Sequence, residues 1–251
     1  NLLLWTIMLG LGNSVVTSGA PSAEFTLDQA GTMVHWYKFN EGQTPADSDS
    51  DGTDEVAQWN DSFGSNNISQ STAIKQPAYN NGHLDFDNSQ SQKLQGSVFN
   101  GTGLTSFTIM FSIAPDDFAA SRTVMGNSGV ASHLFRFSSS NTNTRLQFQG
   151  AAFDSTASEA FGTSRFILTL TRDTSANPNP VKIYKNTTEV VSGTKTFGTQ
   201  ASLATFNQFG CQAGASNPFN GKISEVAIWS NVLSDSDRAL AIADMQNRTG
   251  V

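Results

Sequence analysis

The chain has 251 residues, a length that a single all-β sandwich can fill. Charged residues make up only 14%, against about 25% in an average soluble domain, so Ser, Thr, Asn, Gln and Gly carry the surface. The net charge is −7 and no run of Lys or Arg occurs, which excludes a phosphate-backbone footprint and with it a nucleic-acid partner.

The first sixteen residues are the most apolar stretch, with Leu3, Leu4, Trp5, Ile7, Met8 and Leu9 close together. The run is shorter than the ~20 residues of a membrane-spanning helix, so no span is expected. Ser18-Gly19-Ala20 has the small side chains of a signal cleavage site, but no Lys or Arg precedes the run. Residues 1–31 therefore read as an extended docking arm, broken by Gly10, Gly12, Gly19 and Pro21. Such an apolar arm needs cover, either from its own domain or from a neighbouring subunit.

Residues 32–251 read as the folded body. Met33 to Phe39 carries apolar residues on both faces, as a strand covered on both sides does. The acidic stretch Asp47 to Asp61 follows. It reads as a solvated loop or as a Ca²⁺ site, since hard cations take several carboxylate and carbonyl oxygens. It is not an EF-hand, because Asn60 and Asp61 stand where the bidentate Glu belongs. Val56–Trp59, His83–Phe86 and Gln92–Leu94 are short strand candidates.

In the middle of the chain, Phe107, Ile109, Phe111 and Ile113 alternate at period two. Residues 133–137 and 145–148 are strand-like, and Phe166, Leu168 and Leu170 point inward from another strand. Pro178 and Pro180 mark a turn, Val181–Lys185 returns, and Asn186-Thr187-Thr188 turns again. Hairpins at this spacing indicate a sandwich or jelly roll. Cys211, the sole cysteine, has no disulfide partner and is expected to be a small buried hydrophobe.

The last strand, Phe219 to Trp229, is expected to place Ile223, Glu225, Ala227 and Trp229 on one face and Ser224, Val226 and Ile228 on the other. Ser234 is a helix cap that accepts from the Asp237 amide, with acids in the first turn. Leu240, Ile242 and Met245 follow in the helix, and Gly250 stops it.

Phe219, Gly221, Ile223, Glu225, Val226, Ile228 and Leu233-Ser234, preceded by Val181–Asn186, resemble a laminin-G-like domain of the concanavalin A-like lectin/glucanase superfamily, of the type found in phage structural and secreted bacterial proteins. Val56–Asp61, Gln70, Gln76–Tyr79 and Leu84–Asp87 are similar to that type. Thr187 and Phe63 depart from its pattern. The resemblance spans about residues 32–248 and implies an all-β, antiparallel two-sheet jelly-roll sandwich with a short C-terminal helix. It also implies a possible rim Ca²⁺, for which Asp61, Asp85 and Asp87 are the candidates beside the Asp47–Asp54 loop.

The glucanase pattern Glu-x-Asp-x-x-Glu or Glu-x-Asp-x-Glu is absent, as are zinc, Cys-x-x-Cys and Gly-x-Ser-x-Gly motifs. Glu225 is expected to be a structural carboxylate. No enzyme is expected. A sugar ring would stack on an exposed aromatic among amides and carboxylates, and Trp59, Asn60 and Asp61 are the candidates for it. Trp36 and Trp229 are expected in the core.

The conjunction of an apolar arm, a cysteine-poor body and missing catalytic carboxylates suggests a non-catalytic virion structural protein of a bacteriophage. It would be a capsid decoration or fibre-like subunit, docked through its arm to other virion subunits or copies of itself. The alternative is a secreted or cell-surface carbohydrate-binding module with glycans as partners. A divergent glycosidase is the third reading.

Overall fold

A computed structural model describes residues 25–198 and 203–251. The docking residues Leu3, Leu4, Trp5, Ile7, Met8 and Leu9 lie outside them. In chain order the described strands are β1 (Met33–Tyr37), β2 (Gln43–Ala46), β3 (Glu55–Trp59), β4 (Ile68–Ser69), β5 (Ala78–Asn80) and β6 (His83–Phe86). Next come β7 (Leu94–Gln95), β8 (Phe107–Pro115), β9 (Arg122–Gly126), β10 (Leu134–Phe137), β11 (Asn143–Phe148) and β12 (Ala151–Thr156). β13 (Phe166–Arg172), β14 (Asn179–Lys185), β15 (Thr188–Lys195), β16 (Gln208–Phe209) and β17 (Gly221–Trp229) complete the set, and helix α1 (Asp235–Thr249) closes the chain.

All strand pairings are antiparallel, and they trace two sheets. The back sheet runs β15–β14–β13–β8–β17, with β1 along the end of β17 and β6 then β5 along its start. The front sheet runs β2–β3–β4–β7–β16–β9–β10–β11–β12. The two join at one rim, where Glu55 of β3 pairs with Ala78 of β5.

Alternation decides which side chains meet between the sheets. Phe107, Ile109, Phe111 and Ile113 of β8, with Phe166, Leu168 and Leu170 of β13, fill that layer against Phe135, Phe137, Leu146 and Phe148 of the front sheet. Burying each such side chain contributes about 1.5–3 kcal/mol. The intervening residues Met110 and Ile167 face the other way, onto a second core under α1. Ala241, Ile242 and Met245 supply the helix side of that core, while Leu240 turns outward and is 48% exposed. Ser234 caps α1 as expected, accepting from the Asp237 amide at 3.1 Å, and Gly250 ends it in a left-handed turn.

Of the register shifts in the described pairings, those in β17 and β1 decide which core their side chains join. In β17 an extra residue, Ser224, sits between Ile223 and Glu225 in the pairing with β8. Ile223 therefore joins Val226 and Ile228 between the sheets, while Ala227 and Trp229 face the helix. In β1 a register shift between Met33 and His35 sends Val34 to the inner layer and Met33 and Trp36 to the helix side. One inserted residue reverses the facing of everything before it.

The expected boundary at residue 32 falls inside packed structure. Leu27 and Ala30 are fully buried against α1, so residues from 25 onward pack with the body. Gly221 sits at φ +132°, and any Cβ there would strike the Ala114 carbonyl. Only glycine lets β17 lie so close to β8 at that point.

A candidate acidic cleft at the joined rim

The β2–β3 hairpin carries the acidic loop. Asp47, Asp49, Asp51 and Glu55 each offer an oxygen, and these oxygens lie within 4.8 Å of one another. The loop's own amides shape the cluster: Gly52 donates to Asp47 Oδ2, Thr53 to Asp51 Oδ1, and Ser48 to Glu55 Oε2 at 2.8 Å. Glu55 is buried at the foot of the loop. Its burial raises the carboxyl above its ordinary range, against the pull of the Ser48 amide, and the charges of Asp49, Asp51 and Asp47 raise it further. A divalent cation would relieve that repulsion, and an all-oxygen donor set suits Ca²⁺. The residues present therefore fit the ion that the sequence suggests.

The cluster opens into a cleft of about 340 Å³. Asp85 of β6, Asp87, Gln90 and Gln92 form the facing wall, and Ile74, 50% exposed, supplies an apolar edge. Asp85 is held by Lys222 at 3.0 Å, and Asp87 accepts from the Ser89 amide at 2.7 Å. Carboxylates and amides converging beside an aliphatic edge can hydrogen-bond hydroxyl groups while packing one face of a ring.

Of the expected metal ligands, Asp85 and Asp87 reach this cleft and Asp61 does not line it. Asp61 is 8% exposed, and its two oxygens accept the amides of Trp36, Phe63, Gly64 and Asn66. His35 Nδ1 adds a bond of 2.6 Å to Oδ2. Burial pushes this carboxyl up, but His35 and the amides outweigh it and hold Asp61 below the usual carboxylate range. It is a structural anion that ties β1 to the 61–66 turn.

The aromatic platform expected at Trp59 is corrected by the packing. Trp59 is fully buried, and its indole N–H donates to the Lys38 and Glu41 carbonyls at 3.1 Å. Its ring lies against Tyr37 in the inner layer and cannot meet a ligand. Asn60 is half-buried and accepts from Gln58 at 2.6 Å. Trp36 and Trp229 are core residues, as expected. The exposed apolar residue at the cleft, Ile74, was invisible to a search for aromatics.

Glu225 carries the structural role predicted for it. It is fully buried, accepts from Trp36 Nε1 at 2.7 Å, and is clamped by Arg248 at 2.6 Å. Cys211 is buried, and burial pushes its thiol up to about 11. The three histidines are pins. His35 Nε2 accepts the Asn100 amide, His133 Nε2 accepts the Gln149 amide, and His83 Nε2 accepts from Arg165 at 2.9 Å. Since Arg165 donates to His83 Nε2, the ring proton sits on Nδ1 and is donated to Ser224 Oγ at 2.7 Å. Ser224 therefore gains no base from this pairing.

The profile of the concanavalin A-like lectin/glucanases superfamily matches residues 86–237, more than half of the chain. The chain belongs to this superfamily. No curated protein sequence matches it significantly. Among solved structures it is similar to the binding domain of botulinum neurotoxin serotype D/C, at 14% identity and TM-score 0.58, over 88% of this chain and 53% of that one. A structure of botulinum neurotoxin type C, which depends on two ganglioside molecules to enter cells, matches at 14% identity and TM-score 0.55, over 86% and 51%. The sialidase of Trypanosoma rangeli, bound to the inhibitor DANA, matches at 12% identity and TM-score 0.58, over 84% and 32%. The chain spans about half the length of the neurotoxin chains. At these identities the likeness is one of fold, and it reaches only about a third of the sialidase chain.

Proposed function

We propose that this superfamily member is a non-catalytic carbohydrate-binding module whose ligand seats in the cleft between the Asp47–Glu55 loop and β6. The observation that carries the reading is the cleft itself, where carboxylates and the amides of Gln90 and Gln92 meet the exposed edge of Ile74. Ca²⁺ held by Asp47, Asp49, Asp51 and Glu55 would offset part of the loop's negative charge and offer open coordination positions to sugar hydroxyls. The neurotoxin domains of like fold, one of them solved in complex with SialylT, support the same direction. The missing Glu-x-Asp motifs and the engagement of Glu225 by Arg248 and Trp36 support a binding role over hydrolysis. The virion reading rests on the apolar arm, the cysteine-poor body and the missing catalytic carboxylates, and no observation favours it over the binding module.

A glycan array probed with the whole chain tests this. Ligands of the cleft should lose binding by about tenfold or more on chelation of calcium and in Glu55→Gln. An array without a hit, or hits indifferent to both treatments, would contradict the proposed site. Hydrolysis of a bound glycan by the pure protein would contradict the non-catalytic reading.

A further inference from the structure

The opposite end of the front sheet carries the opposite charge. Arg136 of β10 stands in register with Arg145 of β11, which in turn stands opposite Asp154 of β12. Phe135 and Phe137 flank Arg136 and point into the inner layer, so Arg136 faces outward. Arg145 is matched by Asp154 through two bonds, at 2.5 and 2.9 Å. Arg136 forms neither a hydrogen bond nor a salt bridge with any described residue, and its Nε is buried without an acceptor. On its other side it pairs with Thr123 of β9, whose hydroxyl is buried and also without a partner.

Like charges directly opposite on neighbouring strands repel, and a half-buried guanidinium without an acceptor leaves strong donors unused. Burial, and then the charge of Arg145, pushes the Arg136 guanidinium below its ordinary range, and the charge of Asp154 across the row only partly offsets them. An anion would supply the missing acceptor. The planar fork of Arg fits a carboxylate or a sulfate in two-point contact. Because Asp154 already matches Arg145, the row holds one uncompensated positive charge, which suits one anionic group rather than a polyanion. The outward neighbours on β11, Asn143 and Gln147, are half-exposed amides able to hydrogen-bond hydroxyls around that group.

We propose that Arg136, with Arg145 beside it on the outer face of β10–β11, is a second ligand site that receives the carboxylate or sulfate of an acidic sugar. It is separate from the acidic cleft, which would repel such a group, and it does not rely on calcium.

Calorimetric titration of the whole chain with sialyllactose, sulfated lactose and neutral lactose tests this, on wild type, Arg136→Gln, Arg136→Lys and Glu55→Gln. The sialylated and sulfated probes distinguish the two anions. At least one acidic probe should bind about tenfold or more tighter than lactose, weaken with added salt, and lose that margin in Arg136→Gln. Arg136→Lys should restore part of it, and Glu55→Gln should leave it intact. Thermal melts confirm that each variant is folded. Acidic and neutral probes binding alike, with Arg136→Gln silent, would overturn this site while leaving the cleft standing. Loss of binding in Glu55→Gln instead would move the acidic ligand to the cleft. No binding of either acidic probe would overturn the second site, while array hits sensitive to calcium would still uphold the first.

Discussion

At the scale of single residues, the polar groups of this chain divide into those consumed by the fold and those left over. Asp61, Glu225 and the three histidines are consumed: each fastens a loop or a strand end through hydrogen bonds, with His83 half-buried and the others buried. Trp59 belongs with them, since both its ring and its N–H are satisfied inside. Trp59→Ala should therefore cost about 3–5 kcal/mol in urea unfolding, the usual cost of emptying such a core site. A change in glycan affinity without loss of stability would contradict the placement. The histidines also set an acid response. Burial, with the charges of Arg165 and Lys222, pushes His83 down to about 4. Burial likewise lowers His133. A histidine depressed in the folded state stabilises fully above its unfolded value of about 6.5. That contribution drains as pH falls toward the folded value, because the unfolded chain then binds the extra proton. Asp61, also depressed, gives way only below the ordinary aspartate range. The melting temperature should fall from about pH 6.5 toward pH 4, and His83→Gln should flatten part of that slope. A melting temperature constant across that window would contradict the half-buried, neutral His83.

At the scale of elements, each strand follows its alternation until an extra residue intervenes. β8 and β13 are legible in the sequence because every second residue is large and apolar and no residue is inserted. β17 is only partly legible. Its pattern reads as one face holding Ile223 with Trp229, yet the Ser224 bulge puts them on opposite faces. A bulge leaves no compositional mark when both faces of the strand are apolar. The same holds for β1 around Val34. Helix α1 was legible at its ends, where Ser234 and Gly250 satisfy the terminal amides and carbonyls, and less so along its length. Leu240 is off the face defined by Ala241, Ile242 and Met245, so hydrophobicity alone misplaces it. Ser234→Ala should destabilise the protein by about 1 kcal/mol, seen as a lowered urea midpoint with unchanged slope. An unchanged midpoint would mean that α1 is held by its packing alone.

At the scale of the whole molecule, the front sheet separates two kinds of surface. One end meets the back sheet at the Glu55–Ala78 pairing and carries the acidic cleft, and the other carries the arginine row. The sequence showed the acids of the cleft because they are crowded in one loop. The family resemblance grouped Asp85 and Asp87 with that loop, but it also put Asp61 there, which the structure instead buries in the 61–66 turn. The sequence did not single out Arg136, although the apolar Phe135 and Phe137 on either side mark it as outward-facing. The central claim is that the cleft at the joined rim binds a glycan. Amide NMR of the labelled whole chain, titrated with its strongest array ligand in the presence of calcium, tests that claim most directly. Shifts gathered at residues 47–55, 73–76 and 85–92 are the predicted result. For a neutral glycan, shifts confined to any other face, or none at saturating ligand, would contradict the account.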